Sequence, residues 1–370
     1  MFLLLIVLLP SGFAQNRAAF QDTIPFRTDL GLIIIPITFN GVKKQFAFDT
    51  GATHSVSYDW AKNELKPTRK TMNITSSSGL KSKMRFYKSG LIELGSRKIR
   101  RHSILNTAKN DVFSCYNIDG ILGVDIIKEL NWTIDFERKI LVMYPSNYFP
   151  DKVKTMHRLN FDYQNKRPYV FLKRKNKEIR FLLDTGAGGF SNISKREYNF
   201  STIDLYPNLS TQSASIDVNG MLTSSLAKIV KYAEAFSGDA AISPIVVYNN
   251  QKSSKIGNRL WQNNELFLSL KKDKLYSFKA NINNTFKGYP CSVLFYKNRM
   301  RIIKVEEESA LWKNGVRQGD EVVSVNGKQF DNFCDLDNYF RKTVKLAQSF
   351  TITLADGKQF TITKNSVLKD

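Results

Sequence analysis

Phe46-Ala47-Phe48-Asp49-Thr50-Gly51-Ala52-Thr53 returns later in the chain as Phe181-Leu182-Leu183-Asp184-Thr185-Gly186-Ala187-Gly188, and this pair decides the reading of the whole sequence. Each copy runs an apolar strand into Asp-Thr-Gly-Ala. Upstream of the first copy, Leu32-Ile33-Ile34-Ile35 and Ile37-Thr38-Phe39 read as strand, and Asn40-Gly41 turns the chain back into Val42 to Phe48. Asn-Gly between β-rich runs is a strong hairpin signal. Upstream of the second copy, Tyr169-Val170-Phe171-Leu172 reaches a charged turn at 173–177 and returns through Phe181-Leu182-Leu183.

A second landmark fixes the register between the copies. Ile121-Leu122-Gly123 follows the first, and Lys255-Ile256-Gly257 follows the second. The intervals match: 74 residues from Asp49 to Gly123, and 73 from Asp184 to Gly257. After each glycine the pattern predicts a short helical stretch, 124–130 and 258–264. A hairpin follows each: 132–136 with 140–144, and 266–270 with 275–278. A lone tripeptide match means little, since a given one turns up about once in several thousand positions. Two matches with a shared downstream landmark mean a duplication of fold.

Paired carboxylates carry a definite chemistry. Hydrolysis of an amide without a metal or a covalent intermediate needs a base to activate water and an acid to protonate the leaving groups. Two carboxyl groups held side by side cannot both ionise, so they share a proton and supply both roles. Asp49 and Asp184 are the candidates. Gly51 and Gly186 permit tight turns and close backbone approach. Thr50 and Thr185 offer hydroxyls to the opposite loop, and each half of the chain contributes half a site.

The motif Asp-Thr-Gly-Ala after an apolar strand, with Ile-Leu-Gly later in the same half, resembles the retropepsin-like aspartic peptidases. Viral members of that group carry one Asp-Thr-Gly per chain and dimerise; pepsin-like members carry two in one chain. The resemblance implies a mostly β fold of two tandem closed-barrel halves, 26–150 and 155–282, related by a pseudo-twofold axis. It also implies a hairpin flap over the cleft from each half. The flap candidates are 72–91, turning at 76–79, and 213–226, turning at Asn219-Gly220. Catalysis is expected from Asp49 and Asp184, with Thr50, Gly51, Thr185 and Gly186 in support. Ile121, Leu122, Gly123, Ile256 and Gly257 are expected as structural landmarks. Two departures stand out: Gly188 replaces the hydroxyl residue found at Thr53, and Lys255 replaces an apolar residue.

The character changes near residue 290. A strand over 300–305 leads into Ser309-Ala310-Leu311-Trp312-Lys313-Asn314-Gly315-Val316-Arg317-Gln318-Gly319-Asp320-Glu321-Val322-Val323-Ser324-Val325-Asn326-Gly327. Next come a predicted helix over 336–344 and a hairpin over 350–354 and 359–363. This run resembles the core of PDZ domains, which implies a module over 290–366 that captures an extended peptide as an added strand. The loop near Ser292-Val293-Leu294-Phe295-Tyr296 lacks the glycines expected of that site, so a docking role stays open beside peptide capture.

The rest of the sequence sets boundaries. Residues 1–14 hold a short apolar run, Phe2 to Leu9, before Gly12-Phe13-Ala14; they read as a signal peptide although no basic residue precedes the run. The expected location is therefore secreted, or periplasmic in the cell envelope. The run is too short to span a bilayer, and no later stretch is apolar enough to do so. The three cysteines, Cys115, Cys291 and Cys334, read as small core residues. His54, His102 and His157 lack metal-ligand spacing, so no metal or cofactor is expected. His54 reads as a surface group or as support behind the first Asp-Thr-Gly loop. Asp119 and Asp125 are expected to make structural hydrogen bonds.

Lys and Arg number 55 against 33 acids, a formal net charge of +22. They are dispersed without a nucleic-acid-binding signature, so no nucleic-acid partner is expected. The expectation is a monomeric endopeptidase acting on peptide or protein, with a possible peptide ligand for the C-terminal module. Two alternatives remain open: a non-catalytic peptide-binding envelope protein on the same scaffold, and a basic adhesin for anionic polymers.

Overall fold

The computed structural model describes residues 21–75, 81–109, 111–194, 197, 209–217, 220–231, 235–243, 245–248, 253–283, 287–296 and 298–366. The signal-peptide candidate 1–14 and the turns of both flap candidates, 76–79 and Asn219, lie outside the described residues.

Strand Val42–Asp49 is the axis of the first half. Its inward residues Phe46 and Phe48 are fully buried, and it pairs antiparallel with Leu32–Phe39. The turn between them is Asn40-Gly41, both with positive φ (48° and 84°), the geometry that makes this dipeptide favour tight hairpins. On its other side Gly120–Gly123 runs parallel, with Ile121 opposite Ala47 and Gly123 opposite Asp49. The second half repeats this figure. Lys177–Leu183 pairs antiparallel with Arg167–Arg174 and parallel with Lys255–Ile256, Lys255 opposite Leu182.

The hairpins that follow the landmarks join the halves. Leu130–Asp135 of the first pairs antiparallel with Glu265–Ser269 of the second, Ile134 opposite Leu266. Ile140–Pro145 and Asp22–Pro25 extend this sheet on one side, Lys274–Ser277 and His157–Arg158 on the other. The order is symmetric about the central pair, so the pseudo-twofold axis passes between those strands. One hydrophobic core runs through both halves, with Trp132 of strand Leu130–Asp135 and Trp261 at the end of the turn Asn258–Trp261 both fully buried in it. The helical stretches are shorter than the pattern predicts. Val124–Ile127 is one turn of α-helix and Asn258–Trp261 one turn of 3-10 helix, because the core-sheet strands resume soon after them. The sheets curl as half-barrels; the closed barrels expected of each half are met only to that extent.

Both flap candidates are hairpins in the described backbone. Pro67–Thr75 pairs with Lys81–Lys88, and Leu209–Asp217 with Gly220–Lys231.

Residues 287–366 have a separate core, which includes Val293, Met300, Ile302, Leu311, Val322 and Leu336. Its elements are strands Cys291–Tyr296, Arg299–Glu306, Glu321–Val325, Ser349–Leu354 and Gln359–Thr363, with helices Ala310–Lys313 and Phe333–Lys342. The second helix starts earlier than expected, because the Asn332 side chain accepts the Asp335 N–H and caps it there. This unit touches both halves. Arg299–Glu306 pairs with the second-half hairpin strand Leu209–Asp217, Gln212 opposite Val305. Helix Phe333–Lys342 lies against the first half, where Cys115 and Cys334 form a disulfide across a sequence separation of 219.

That bond corrects the reading of the cysteines as mere core filler; only Cys291 is a buried free thiol. Sequence distance hid the pair, since the fold alone brings the helix ends together. Around it Tyr116 donates its hydroxyl to Asp337, and Arg341 reaches Asp337 at 2.9 Å and Asp29 at 3.2 Å. The Arg341 guanidinium lies 4.7 Å from the Tyr116 ring centroid. Burial first, then the bond to Asp337, raises the Tyr116 hydroxyl well above its ordinary value, so it stays a donor.

Candidate active site

The two Asp-Thr-Gly loops meet on the pseudo-twofold axis. Thr50 and Thr185 are buried there and interlock. The Thr50 hydroxyl donates to Leu183 O at 2.5 Å, and the Thr185 hydroxyl donates to Phe48 O at 2.9 Å. In return the Thr50 N–H donates to Thr185 Oγ1 at 2.9 Å, and the Thr185 N–H to Thr50 Oγ1 at 3.1 Å. Each loop therefore fixes the strand end that carries the opposite aspartate.

The glycines have a steric reason as well as a turn to make. A Cβ on Gly51 would stand 2.7 Å from Asp184 Oδ1, and one on Gly186 would stand 2.1 Å from Asp49 Oδ2. Each glycine thus leaves room for the carboxylate of the other half. Its N–H also binds its own aspartate: Gly51 N–H to Asp49 Oδ1 at 2.7 Å and Gly186 N–H to Asp184 Oδ1 at 3.1 Å.

The downstream landmarks serve the same loops. A Cβ on Gly123 would meet Ala52 O at 2.6 Å, and one on Gly257 would meet Ala187 O at 2.5 Å. The loop after each aspartate crosses directly over these glycines. The next N–H then ties it down, Val124 to Ala52 O and Asn258 to Ala187 O, both at 2.8 Å. Ile121, Leu122 and Ile256 are buried beside the aspartate strands. All eleven residues singled out from the sequence converge on this one region.

Asp49 is half-buried and faces Asp184; loss of solvation first, then the neighbouring carboxylate, push its carboxyl up to about 7. The hydrogen bond from the Gly51 N–H, then Lys255 and, less strongly, Arg167 pull the other way. The Lys255 ammonium is 3.4 Å from Asp184 Oδ2, with both side chains nearly buried at 12% and 11% exposure.

His54 is buried, which settles its open reading against the surface. Its ring stacks on Phe46 and Nδ1 lies 2.8 Å from Ile121 O. Burial drops its imidazole to about 4, so it packs as a neutral ring behind the loop. Asp125 accepts the His54 N–H at 2.7 Å, and Asp119 accepts the Gln45 N–H at 2.8 Å. Both aspartates make the structural bonds expected of them.

The structure also explains the Gly188 departure. A Cβ there would lie 1.7 Å from Leu30 O and 3.0 Å from the Gly31 Cα. The first-half turn at Leu30-Gly31 occupies the space that a side chain like Thr53 would need. Asn258 holds this crossing, donating to Gly31 O at 2.8 Å and Thr185 O at 2.7 Å. Sequence reading missed Asn258 and that turn; the only available signal was the departure itself.

The first half is similar to known proteases. A family model described as aspartyl protease matches residues 35–126, a span that takes in Asp49 and the Ile121-Leu122-Gly123 landmark. No curated protein matches the chain. The family match and the mostly β half-barrel fold support a proteolytic function in general terms.

Proposed function

We propose that the protein is an aspartic endopeptidase in which Asp49 and Asp184 together activate one water molecule. The observation that carries this reading is the reciprocal Thr50–Thr185 lock, with each loop glycine against the opposite carboxylate. In this reading one carboxylate takes a proton from water as its oxygen attacks the peptide carbonyl carbon. The other carboxyl gives its proton to the carbonyl oxygen. The tetrahedral diol then collapses: the C–N bond breaks as the nitrogen takes a proton from one dyad carboxyl and a diol hydroxyl gives its proton to the other carboxylate, so a carboxylic acid and an amine leave and the dyad regains its single proton.

The C-terminal unit is proposed as a PDZ-type module for docking peptide or protein. Its order of hairpin, short helix, strand, helix and hairpin supports this, and strand Cys291–Tyr296 lies beside helix Phe333–Lys342. Export to an oxidising compartment is proposed as well, on the Cys115–Cys334 disulfide.

The test is cleavage of a diverse peptide library by the full oxidised chain from acidic to neutral pH. Asp49→Asn and Asp184→Asn variants run beside it. Loss of cutting in each variant alone supports a shared dyad. A folded wild-type chain that cuts nothing at any pH sinks the endopeptidase reading and favours a peptide-binding scaffold.

A further inference from the structure

The pseudo-twofold axis relates Ile121 to Lys255, and the two positions differ in kind. Ile121 sits opposite Ala47, two residues before Asp49; Lys255 sits opposite Leu182, two residues before Asp184. Ile121 packs into an apolar cluster with Ile34, Ala47, Phe113 and Tyr116. Lys255 instead carries its ammonium to 3.4 Å from Asp184 Oδ2. The pair is largely withdrawn from water, so the partner of this ammonium must be charged for its burial to be compensated.

Among the described residues, the other charges nearby do not duplicate this role. Strand Ser191–Ile193, which pairs with Lys255–Ile256, carries no ionisable residue. On Lys177–Leu183, Lys177 and Glu178 are exposed near the turn, and Arg180 lies over the Tyr169 ring. Glu197 accepts a hydrogen bond from Ser254, the residue before Lys255. Arg167 acts on Asp49 less strongly than Lys255 does. Across the axis, His54 is a neutral ring bonded to its own half.

We propose that Lys255 is a positioning residue that makes the two carboxylates unequal, holding Asp184 as the anion and leaving the shared proton on Asp49. Its consequence for turnover rests on the endopeptidase reading: Asp184 would take the proton from water, and Asp49 would protonate the carbonyl oxygen. A residue that only filled space would leave the protonation of the dyad unchanged, which makes the idea testable without turnover.

The experiment is a carboxyl-carbon NMR titration of the full oxidised chain labelled at aspartate, with Asp49→Asn and Asp184→Asn to assign the signals. In wild type the last site of the pair to lose its proton is expected to be Asp49. Lys255→Met should raise both dyad titration steps by about 1–3 pH units, the usual effect of losing an opposite charge at this range. Lys255→Arg should keep both steps within about half a unit of wild type. Lys255→Gln, similar in length and able to hydrogen-bond, gives the same comparison if the Met variant fails to fold.

Titration of Lys255→Met or Lys255→Gln that superimposes on wild type overturns the proposal, as does a wild-type proton found on Asp184. The two readings fail separately. A chain that shows the shift but never cleaves peptide refutes the endopeptidase reading alone. A chain that cleaves, with the same pH–rate profile in wild type and Lys255→Met, refutes the role of Lys255 alone.

Discussion

Thr50→Val removes a hydroxyl and keeps the shape of the side chain, so it isolates the lock between the loops. In the native structure that hydroxyl donates to Leu183 O and accepts from the Thr185 N–H. Valine leaves both backbone groups facing a methyl group in a buried site. Each buried polar group without a partner costs about 1–3 kcal/mol, so the variant should lose about 2–5 kcal/mol. Thr50→Ser keeps both bonds and gives up one methyl, a loss of about 1 kcal/mol. The two halves share one core, so urea unfolding followed through Trp132 and Trp261 reports them as a unit. With a slope of about 3 kcal/mol per M, the Val variant should unfold roughly 1 M earlier. On the endopeptidase reading the same variant should also lose most cleavage activity, because Leu183 precedes Asp184 and its carbonyl would no longer be held. Equal stability of Val, Ser and wild type would refute the reasoning; so would a Ser variant as damaged as Val, which would implicate the methyl.

Three further outcomes follow from the same geometry. Asp49 has its folded-state affinity raised to about 7 from an unfolded value near 3.8, so the folded chain holds the extra proton between those values. Stability from this group is therefore full below about 4 and falls as pH rises to about 7. Asp49→Asn should be more stable than wild type at pH 8 and lose that advantage below pH 4; thermal melts showing no gain at pH 8 would contradict it. Gly188→Thr would copy the residue of the first half, yet its Cβ would meet Leu30 O. It should cost about 1–3 kcal/mol by overpacking and lower kcat/KM, whereas a gain in either would show that the turn yields freely. The denatured, unreduced chain should titrate with one free thiol, that of Cys291. Reduction should destabilise the folded chain by about 2–5 kcal/mol, and three free thiols before reduction would disprove the cross-link.

The sequence revealed what repeats and left hidden what breaks the repeat. Asp-Thr-Gly and the later glycine are legible because backbone crossing and carboxylate room permit nothing larger at Gly51, Gly186, Gly123 and Gly257. The Asn40-Gly41 turn is legible because few residues accept two positive φ values in succession. Cys115 and Cys334 are not legible as a pair, since nothing local marks a contact that the docking of a helix creates. Gly188 and Lys255 were visible only as departures. Read along the chain, each looks like decay of a motif; in the fold, each has a partner contributed from elsewhere, the Leu30-Gly31 turn for one and Asp184 for the other.

Those departures bear on why two unequal halves occupy one chain. Identical halves would present the shared proton with two equivalent carboxylates, and only a bound substrate could distinguish them. In this chain the halves differ before any substrate arrives. Behind Asp49 the Ile121 position is apolar and packs near Phe113 and Tyr116, beside the disulfide to the C-terminal unit. Next to Asp184 the equivalent position carries a cation. The C-terminal unit is unequal in its contacts too. It clamps the first half through helix Phe333–Lys342, and it joins the second half through strand pairing to the flap-candidate hairpin. A fixed difference at the dyad would commit each aspartate to one proton-transfer role, and the strand pairing would commit one hairpin to move with the C-terminal unit. Fusion of two halves into one chain allows both commitments, which a symmetric dimer of identical chains cannot make.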